Sequence, residues 1–587
     1  MEPPVLNVAR SASGRAWHWR SAPLPLGEAG RLGIEDLAAR LLLSRGAAPA
    51  DLARLLKPAL RDWLPDPSAL RGMDEAAARL AAAVRHGEKI TVFADYDVDG
   101  ATSAAILIRA LRAAGAAPGH YIPDRLLEGY GPSTEVLLRL RREGTGLLLL
   151  LDCGTQAFAE LDAARAAGLD VIVVDHHKAS TELPPALALI NPNRFDEQAD
   201  GGVAAAHGHL CTAGLAFLLA VALRRELRKE GGATELDLAS LLDLVALGTV
   251  ADVMPLSGLN RAFVSLGLRR MAAGANPGLA ALLEMAGVQR PSASDLGFHL
   301  GPRVNAGGRV GTADLGVRLL TTEDPEEARA LALELDALNR TRREIEAQVT
   351  EAALEAVDRS TPIAIAAGEG WHPGVIGIAA ARLKERLKRP AIVIAKEGTG
   401  PAKGSGRSVE GVDLGAAILA ARDQGLLIAG GGHAMAAGLT VAPERIADLA
   451  TFLADRLGPS LAATGEARSL SIDLAVAPRA LSAELHQALE AAGPYGQGWP
   501  APRVALGPVR LVEARPVGAG GHVRVVGAGP DGGRVKAILF AGREPLVADA
   551  LLAGVGRSCH LAGRVMRNEW QGRVSAELHL DDAAPAD

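Results

Sequence analysis

Cysteine is nearly absent: there are three in 587 residues, Cys153, Cys211 and Cys559, far apart and without a CxxC pair. That argues against a disulfide-stapled scaffold and a structural zinc site, and it suits a reducing compartment, so a cytoplasmic location is expected. Long apolar runs are missing too. The longest, Ala213 to Leu223, has eleven residues, roughly half of the ~20 that a membrane helix needs. The opening MEPPVLNVARSASGRAWHWR lacks the apolar core of a secretory signal, so a soluble protein with no membrane partner is expected. Aromatics make up only 3% and the net charge is −6. Any polyanionic partner must therefore meet a local basic surface, because the chain as a whole is not basic.

What is present is ordinary globular material, 49% apolar and 22% charged, in a chain long enough for several domains. Residues 31–86 read as short helices punctuated by Gly46 and the Pro65/Pro67 turn. From Lys89 the pattern changes to short apolar runs (Ile90–Ala94, Leu147–Leu151, Val171–Val174) alternating with helical stretches such as 101–114. That alternation predicts buried parallel strands in an α/β domain. Residues 213–300 read as mainly helical. A long amphipathic stretch follows, with Leu331, Leu335, Leu338, Ile345, Val349 and Ala352 on one face and Glu326, Glu327, Arg342, Arg343 and Glu344 on others. Its length predicts a bridge between two lobes. A second α/β unit begins near Pro362, with strands at 363–367 and 391–395, a helix at 375–387 and Gly-rich turns at GSGRS and GGGHAMAAG. From about Ser469 the chain turns to short β runs, about five in ~110 residues, which suggests a small barrel of OB type.

The carboxylates cluster at the ends of the predicted strands. Asp95, Asp97 and Asp99 (DYDVDG) follow the first, Asp152 follows the second, and Asp175-His176-His177 follows the third. Ligands of open parallel sheets bind outside the carboxyl ends of the strands, so these groups are expected to converge. Asp252, after the apolar LLDLVALG, is a fourth contributor. Carboxylates crowded together raise one another's pKa and repel unless cations neutralise them. Oxygen donors with one or two imidazoles suit first-row divalent ions, Mn²⁺ especially. Five or more donors favour two ions sharing a carboxylate. An EF-hand is disfavoured, because position 12 counted from Asp95 is Ile106 and not glutamate.

Three glycine-rich segments suit phosphate. GPRVNAGGRV carries Arg303, Asn305 and Arg309; AKGSGRS carries Lys403, Ser405 and Arg407; GGGHAMAAG carries His433. Between 500 and 575 there are eleven basic residues against five acidic ones, from Arg503 through Arg543 to Arg573, with Phe540 and Trp570 as stacking candidates. A basic barrel of this kind suits a single nucleic-acid strand.

In these segments the chain resembles the DHH/DHHA1 phosphoesterases, and within them the RecJ branch of bacterial single-strand-specific exonucleases. The matching motifs, in order, are DYDVDG (95–100), LDCG (151–154), DHH (175–177), GTVADVMPL (248–256), GPRVNAGGR (301–309), WHPGVIGIAAARL (371–383), GSGRS (404–408) and GGHAMAAG (431–438). The resemblance implies an N-terminal entry segment (1–85), a parallel-sheet DHH catalytic domain (86–320), a connecting helix (321–358), a smaller α/β DHHA1 domain (359–465) and an OB-fold-like domain (466–587). It implies 5′-to-3′ release of mononucleotides from single-stranded DNA with Mn²⁺ or Mg²⁺, two ions taking part. It also implies work in recombinational and mismatch repair beside a RecQ-type helicase and a single-strand DNA-binding protein. Residue by residue, it makes Asp95, Asp97, Asp99, Asp152, His176 and Asp252 metal ligands, with Asp152 the bridge, and turns His177 to the scissile phosphate. Arg303, Asn305, Arg309, Ser405, Arg407 and His433 become substrate-holding groups, and Ser405 with Arg407 are the candidates for gripping a terminal phosphate. Two rivals remain. One is a superfamily relative that degrades short oligonucleotides or cyclic dinucleotides. The other is a metal-free, strand-binding scaffold.

Overall fold

The structure is a computed structural model that describes residues 3–21, 36–229, 237–398, 400–463, 469–518, 521–542, 544–570 and 573–586. It divides into two compact units, one made of residues 65–254 and 266–465, the other of 1–64, 255–265 and 466–587. The first strand, β1 (Ala16–Trp19), belongs to the second of these and is described with it.

The larger unit holds two sheets. The first contains β2 (Ile90–Ala94), β3 (Gly119–Tyr121), β4 (Leu147–Leu151), β5 (Asp170–Val174) and β6 (Ala188–Ile190), ordered β3-β2-β4-β5-β6 and parallel throughout. β2 and β4 are buried at every position. Such continuous apolar runs mark strands covered on both faces. The LLLLL of β4 is made of a strong helix former. Five residues between Gly146 and Asp152-Cys153-Gly154 are too few for a stable helix, and pairing on both edges decides the conformation. The helices α1 (Val98–Ala113) and α2 (Thr212–Lys229) pack on this sheet, and α3 (Leu242–Ala251) packs on both of them.

The helix α4 (Gly301–Val310) corrects the reading of GPRVNAGGRV as a glycine segment offering backbone N–H groups to phosphate, because those groups serve a helical ladder. Its glycines serve close packing instead. A Cβ on Gly308 would sit 2.9 Å from the Tyr96 carbonyl oxygen. The 32-residue helix α5 (Pro325–Ala356), capped by Asp324, follows as expected and packs on α4 in its first half. Its buried face is not the simple leucine stripe, however. Asp336, Asn339, Arg342 and Glu346 are buried midway along it, and Leu338 and Ile345 are only partly so. Arg342 was expected on another face. It is buried because it bonds Asn339 (2.8 Å) and Glu346 (2.6 Å), while Arg382 reaches Glu346 at 3.1 Å.

The second sheet contains β7 (Ala364–Glu369), β8 (Ala391–Lys396), β9 (Ala402–Arg407), β10 (Ala429–His433) and β11 (Ala436–Val441). They are ordered β10-β11-β9-β8-β7, with only β7–β8 parallel. The helix α6 (Ile376–Leu387) packs against β8 and β9. GSGR and GGGH, expected as turns, are the strands β9 and β10, because pairing satisfies both of their backbone edges or joins them in a hairpin.

The smaller unit contains β12 (Ser469–Ile472), β13 (Leu474–Val476), β14 (Val504–Val517), β15 (His522–Ala528), β16 (Arg534–Leu539), β17 (Ser558–Trp570) and β18 (Arg573–Pro585). β14 pairs with both β15 and β17, closing β14-β15-β16-β18-β17 into a five-stranded barrel. The N-terminal segment joins this unit. β1 pairs in parallel with β12, and buried Trp17 donates its indole N–H to Asp582 at 3.1 Å. The start of the helical stretch read from residue 31 falls on residues 31–35, outside the described residues. So do Arg543 and the side chains of Trp570 and Arg573. Phe540 packs edge-on between His522 and His579. All three cysteines are buried and free, and among the described residues no helix is long and apolar enough to cross a membrane.

Candidate active site

Three adjacent parallel strands end in register, and the residue after each is an aspartate. The Asp95 N–H donates to the Leu151 carbonyl (3.2 Å), Asp152 to Val174 (3.0 Å) and Asp175 to Ile190 (3.0 Å), so the sheet's last rung places all three acids in a row. Asp97 then caps α1, its carboxylate accepting the N–H groups of Asp99 and Gly100 at 2.9 and 3.1 Å. Gly100 is dictated by space, since a Cβ there would lie 2.2 Å from the Asp95 carbonyl oxygen. Asp99, in the first turn of α1, accepts the N–H groups of Thr212 and Ala213 at 2.7 and 2.9 Å and so faces the N-terminus of α2. Asp252 caps the other kind of terminus, the C-terminal end of α3, where the helix dipole opposes a negative charge.

These elements bring seven of the expected residues together. His176 Nε2 lies 3.4 Å from Asp152, 3.4 Å from Asp252 and 3.9 Å from Asp99. Three overlapping groups have donor atoms within 4.8 Å of one another: Asp95–Asp97–Asp152, Asp99–His176–Asp252 and Asp152–His176–His177. Asp152 belongs to two of them. It sits in the left-handed region (φ 61°), a conformation asparagine and aspartate tolerate better than most residues. Thr212 donates to its carboxylate (3.0 Å) and Tyr130 to its carbonyl (2.9 Å).

Burial raises the carboxyl pKa of Asp95, Asp97, Asp152 and Asp252, and the neighbouring aspartates raise them further. Burial lowers that of His176, keeping a ring nitrogen free to donate electrons. Asp95 Oδ1 and Asp252 Oδ2 are buried without a hydrogen-bond partner. Orphaned oxygens, mutually repelling carboxylates and a neutral imidazole form a donor set that fits divalent cations.

His177 and Asp175 behave differently. Asp175 accepts the backbone N–H groups of both histidines (2.8 and 3.1 Å) and that of Thr155 (3.1 Å), and it lies 2.7 Å from His177 Nδ1. Burial alone would raise its carboxyl, but the bond from His177 and the charges around it hold it below the ordinary range. The Asp175 carboxylate thus orients His177 and belongs to none of the three donor groups. Asn191 and Asn193 pin the carbonyls of His177 and His176 at 2.8 and 2.6 Å.

Ser405 and Arg407, neighbours on β9, meet the first turn of α6; a Cβ on Gly377 would lie 3.0 Å from Ser405 Oγ and 3.1 Å from Arg407 Nη2. Arg309 donates to the Gly374 carbonyl at 3.0 Å, and burial brings its guanidinium down to about 10. Its charged neighbours are Arg125, Arg342, Asp97 and Arg407. Arg309, Ser405 and Arg407 therefore form one basic wall beside the acids. Arg303 turns elsewhere, to Asp336 (2.9 Å) and the His299 carbonyl (2.7 Å). Asn305 is half-buried on α4, and His433 is exposed at the end of β10. Sequence reasoning missed Arg125 and Tyr130. Arg125 lies over the Tyr96 ring (4.8 Å) and acts on Asp95, Asp97, Arg309 and Arg407. Both sit in PDRLLEGYG, a turn-rich segment whose only signal was an arginine and a tyrosine among turn residues.

The domain descriptions that match are the DHH family N-terminal domain over residues 89–249, the DHHA1 domain over 360–458 and the RecJ OB domain over 472–582. The single-stranded-DNA-specific exonuclease RecJ of Escherichia coli (strain K12) is 40% identical over 588 residues, covering 94% of this chain and 96% of its own. The chain belongs to the RecJ family. RecJ of Thermus thermophilus in complex with Mn²⁺ superposes with a TM-score of 0.79 at 31% identity, covering 96% of this chain and 79% of that one. The Mg²⁺ complex from the same organism gives 0.73 at 30% identity, covering 97% and 79%. RecJ structures thus carry Mn²⁺ or Mg²⁺, the two ions named from the sequence.

Proposed function

We propose that this chain is a metal-dependent exonuclease that hydrolyses single-stranded DNA from its 5′ end to mononucleotides. The observation that carries this reading is the juxtaposition, within one unit, of the strand-end acid cluster and the basic wall of Arg125, Arg309, Ser405 and Arg407. Asp95, Asp97, Asp99, Asp152, His176 and Asp252 would hold two divalent ions, Asp152 serving both. When bound, such ions polarise the phosphate and lower the pKa of coordinated water toward neutrality. The chain's own groups do the rest. His177, with Nδ1 committed to Asp175, presents Nε2 to a non-bridging phosphate oxygen. The guanidinium groups of Arg309 and Arg407 hold the terminal phosphate, with Ser405 Oγ beside them, and fix which phosphodiester reaches the acids.

Water attacks phosphorus and the P–O3′ bond breaks, so the released nucleotide keeps its 5′-phosphate. The shortened strand then presents a new 5′-phosphate to the same wall. Residues 86–320 supply the catalytic groups and Arg309, and 359–465 supply Ser405 and Arg407 of the end grip, the two joined by 321–358. The basic barrel of 466–587 holds the strand. We place the protein in the cytoplasm, in recombinational and mismatch repair, where a RecQ-type helicase supplies the strand and a single-strand DNA-binding protein covers it.

The test is timed digestion of a long single strand labelled at either end, alongside duplex DNA and RNA of the same sequence, with Mn²⁺. Release of mononucleotides from the 5′ label first, from DNA and not from duplex, is expected. Cleavage of dinucleotides alone, or release from the 3′ end, would overturn the reading.

A further inference from the structure

Asp152 is held at both ends of its backbone. Its N–H donates to the Val174 carbonyl at 3.0 Å, and its own carbonyl accepts the Tyr130 hydroxyl at 2.9 Å. What this leaves free is rotation of the carboxylate about its last bond, a broad torsion with no sharp rotamer. Thr212, at the first position of α2, fixes that rotation by donating its hydroxyl to Asp152 Oδ1 at 3.0 Å. The same oxygen lies 3.4 Å from His176 Nε2.

Other buried threonines behave differently. Thr102, Thr249 and Thr321 turn their hydroxyls back onto their own helices, to the carbonyls of Val98, Val245 and Val317 at 2.8, 2.7 and 2.8 Å. Thr212 has no helical carbonyl behind it, because α2 begins there, and its hydroxyl crosses to a strand end 60 residues away in sequence. Its backbone serves a second acid. The N–H groups of Thr212 and Ala213 donate to the two oxygens of Asp99 at 2.7 and 2.9 Å. Thr212 thus bonds one carboxylate from each of two donor groups, Asp95–Asp97–Asp152 and Asp99–His176–Asp252. The arrangement has little slack. Thr212 is fully buried, and α3 closes over it: a Cβ on Gly248 would lie 2.7 Å from the Ala213 Cβ and 3.1 Å from Asp99 Oδ1.

We propose that Thr212 is a positioning residue for the metal centre: its hydroxyl sets the plane of the Asp152 carboxylate and its amide sets Asp99, so that the two donor groups stand at a fixed spacing before any ion arrives. The proposal rests on the reading above, in which these acids take up divalent ions. Thr212 is not itself a ligand. It acts by preorganisation, since carboxylates that repel one another would otherwise turn apart, and an ion would have to draw them back at a cost in affinity.

The experiment titrates Mn²⁺ into the full chain, reading free Mn²⁺ by its paramagnetic resonance signal, for the wild type, Thr212→Val and Thr212→Ser, with thermal unfolding of each in EDTA alongside. Valine keeps the branched shape and the N–H that serves Asp99 but has no hydroxyl for Asp152, whereas serine keeps the donor and loses only the methyl group. We expect Thr212→Val to bind Mn²⁺ about tenfold more weakly, and Thr212→Ser to bind it as the wild type does. A threonine that serves only to pack gives the reverse order, valine tolerated and serine impaired, and that result overturns the proposal. An equal loss in both variants overturns it too. Should the valine protein not fold in EDTA, Thr212→Ala, which also lacks the donor and adds no bulk, takes its place against serine. A wild type that takes up no Mn²⁺ would sink the metal reading itself, whereas a wild type that binds Mn²⁺ no better than Thr212→Val would remove only the role of Thr212.

Discussion

Asp243 lies fully buried in the first turn of α3, the helix whose far end carries Asp252. One carboxylate oxygen accepts the Leu244 N–H at 2.8 Å and the other has no hydrogen-bond partner. A helix N-terminus favours a negative charge, but burial outweighs it and pushes the carboxyl up to about 6 from its ordinary 3.8. Between those two values the folded protein binds more protons than the unfolded chain, so this group's contribution to stability falls as the pH rises through the window. Two pKa units correspond to about 3 kcal/mol. Asp243→Asn carries no charge at any pH. Whatever the buried amide itself costs, the stability gap between variant and wild type should move by about 2 kcal/mol in the variant's favour from pH 4 to pH 8. Urea unfolding followed by circular dichroism at half-unit pH intervals measures that gap, and titration of the acid cluster, common to both proteins, cancels in the difference. A gap independent of pH would refute the argument that burial governs this carboxyl.

Three further outcomes follow from the site. Asp175→Asn should reduce hydrolysis by about 10²-fold while leaving the number of bound Mn²⁺ ions unchanged, because Asp175 orients His177 and is not itself a ligand; lost ions would contradict this. Since that carboxyl is depressed, its stabilising contribution is present above the ordinary carboxylate range and fades on acidification, so the variant's stability deficit should shrink at low pH. Gly100→Ala must displace the DYDVDG turn, given the 2.2 Å approach to the Asp95 carbonyl; Mn²⁺ affinity by calorimetry should fall at least tenfold, and an unchanged value would show the turn is not rigid. Arg407→Ala should abolish the preference for a 5′-phosphorylated over a 5′-hydroxyl end in a competition digest, and a retained preference would remove Arg407 from the end grip.

The acids were readable because strand-end positions obey a simple grammar. An apolar run of four or five residues followed by aspartate, three times over, can converge in only one place on a parallel sheet, and the register of β2, β4 and β5 puts those residues in one row. Asp252 was readable for a related reason, as the first polar residue after an apolar helix. The glycine-rich segments were misread locally. Glycines near two arginines look like a phosphate loop, but the function of the three in α4 is steric, and only the surfaces packed against them, as at Tyr96, reveal it. In β9 and β10 the glycines lie in paired strands, which no local pattern indicates. The polar face of α5 was hidden because Arg342 and Asp336 pair with Glu346 and Arg303, the latter 33 residues away in sequence. Arg125 and Tyr130 were invisible for the same reason, since their value lies in what surrounds them.

Counting bound Mn²⁺ tests the central claim most directly. Equilibrium dialysis with elemental analysis of the wild-type protein and of Asp152→Asn, paired with hydrolysis of single-stranded DNA by the same samples, would decide it. The account predicts two ions per chain in the wild type, fewer in the variant, and hydrolysis lost with them. A wild type that holds no ion, or an Asp152→Asn protein that keeps both ions and the activity, would contradict the assignment of the strand-end aspartates as the metal centre.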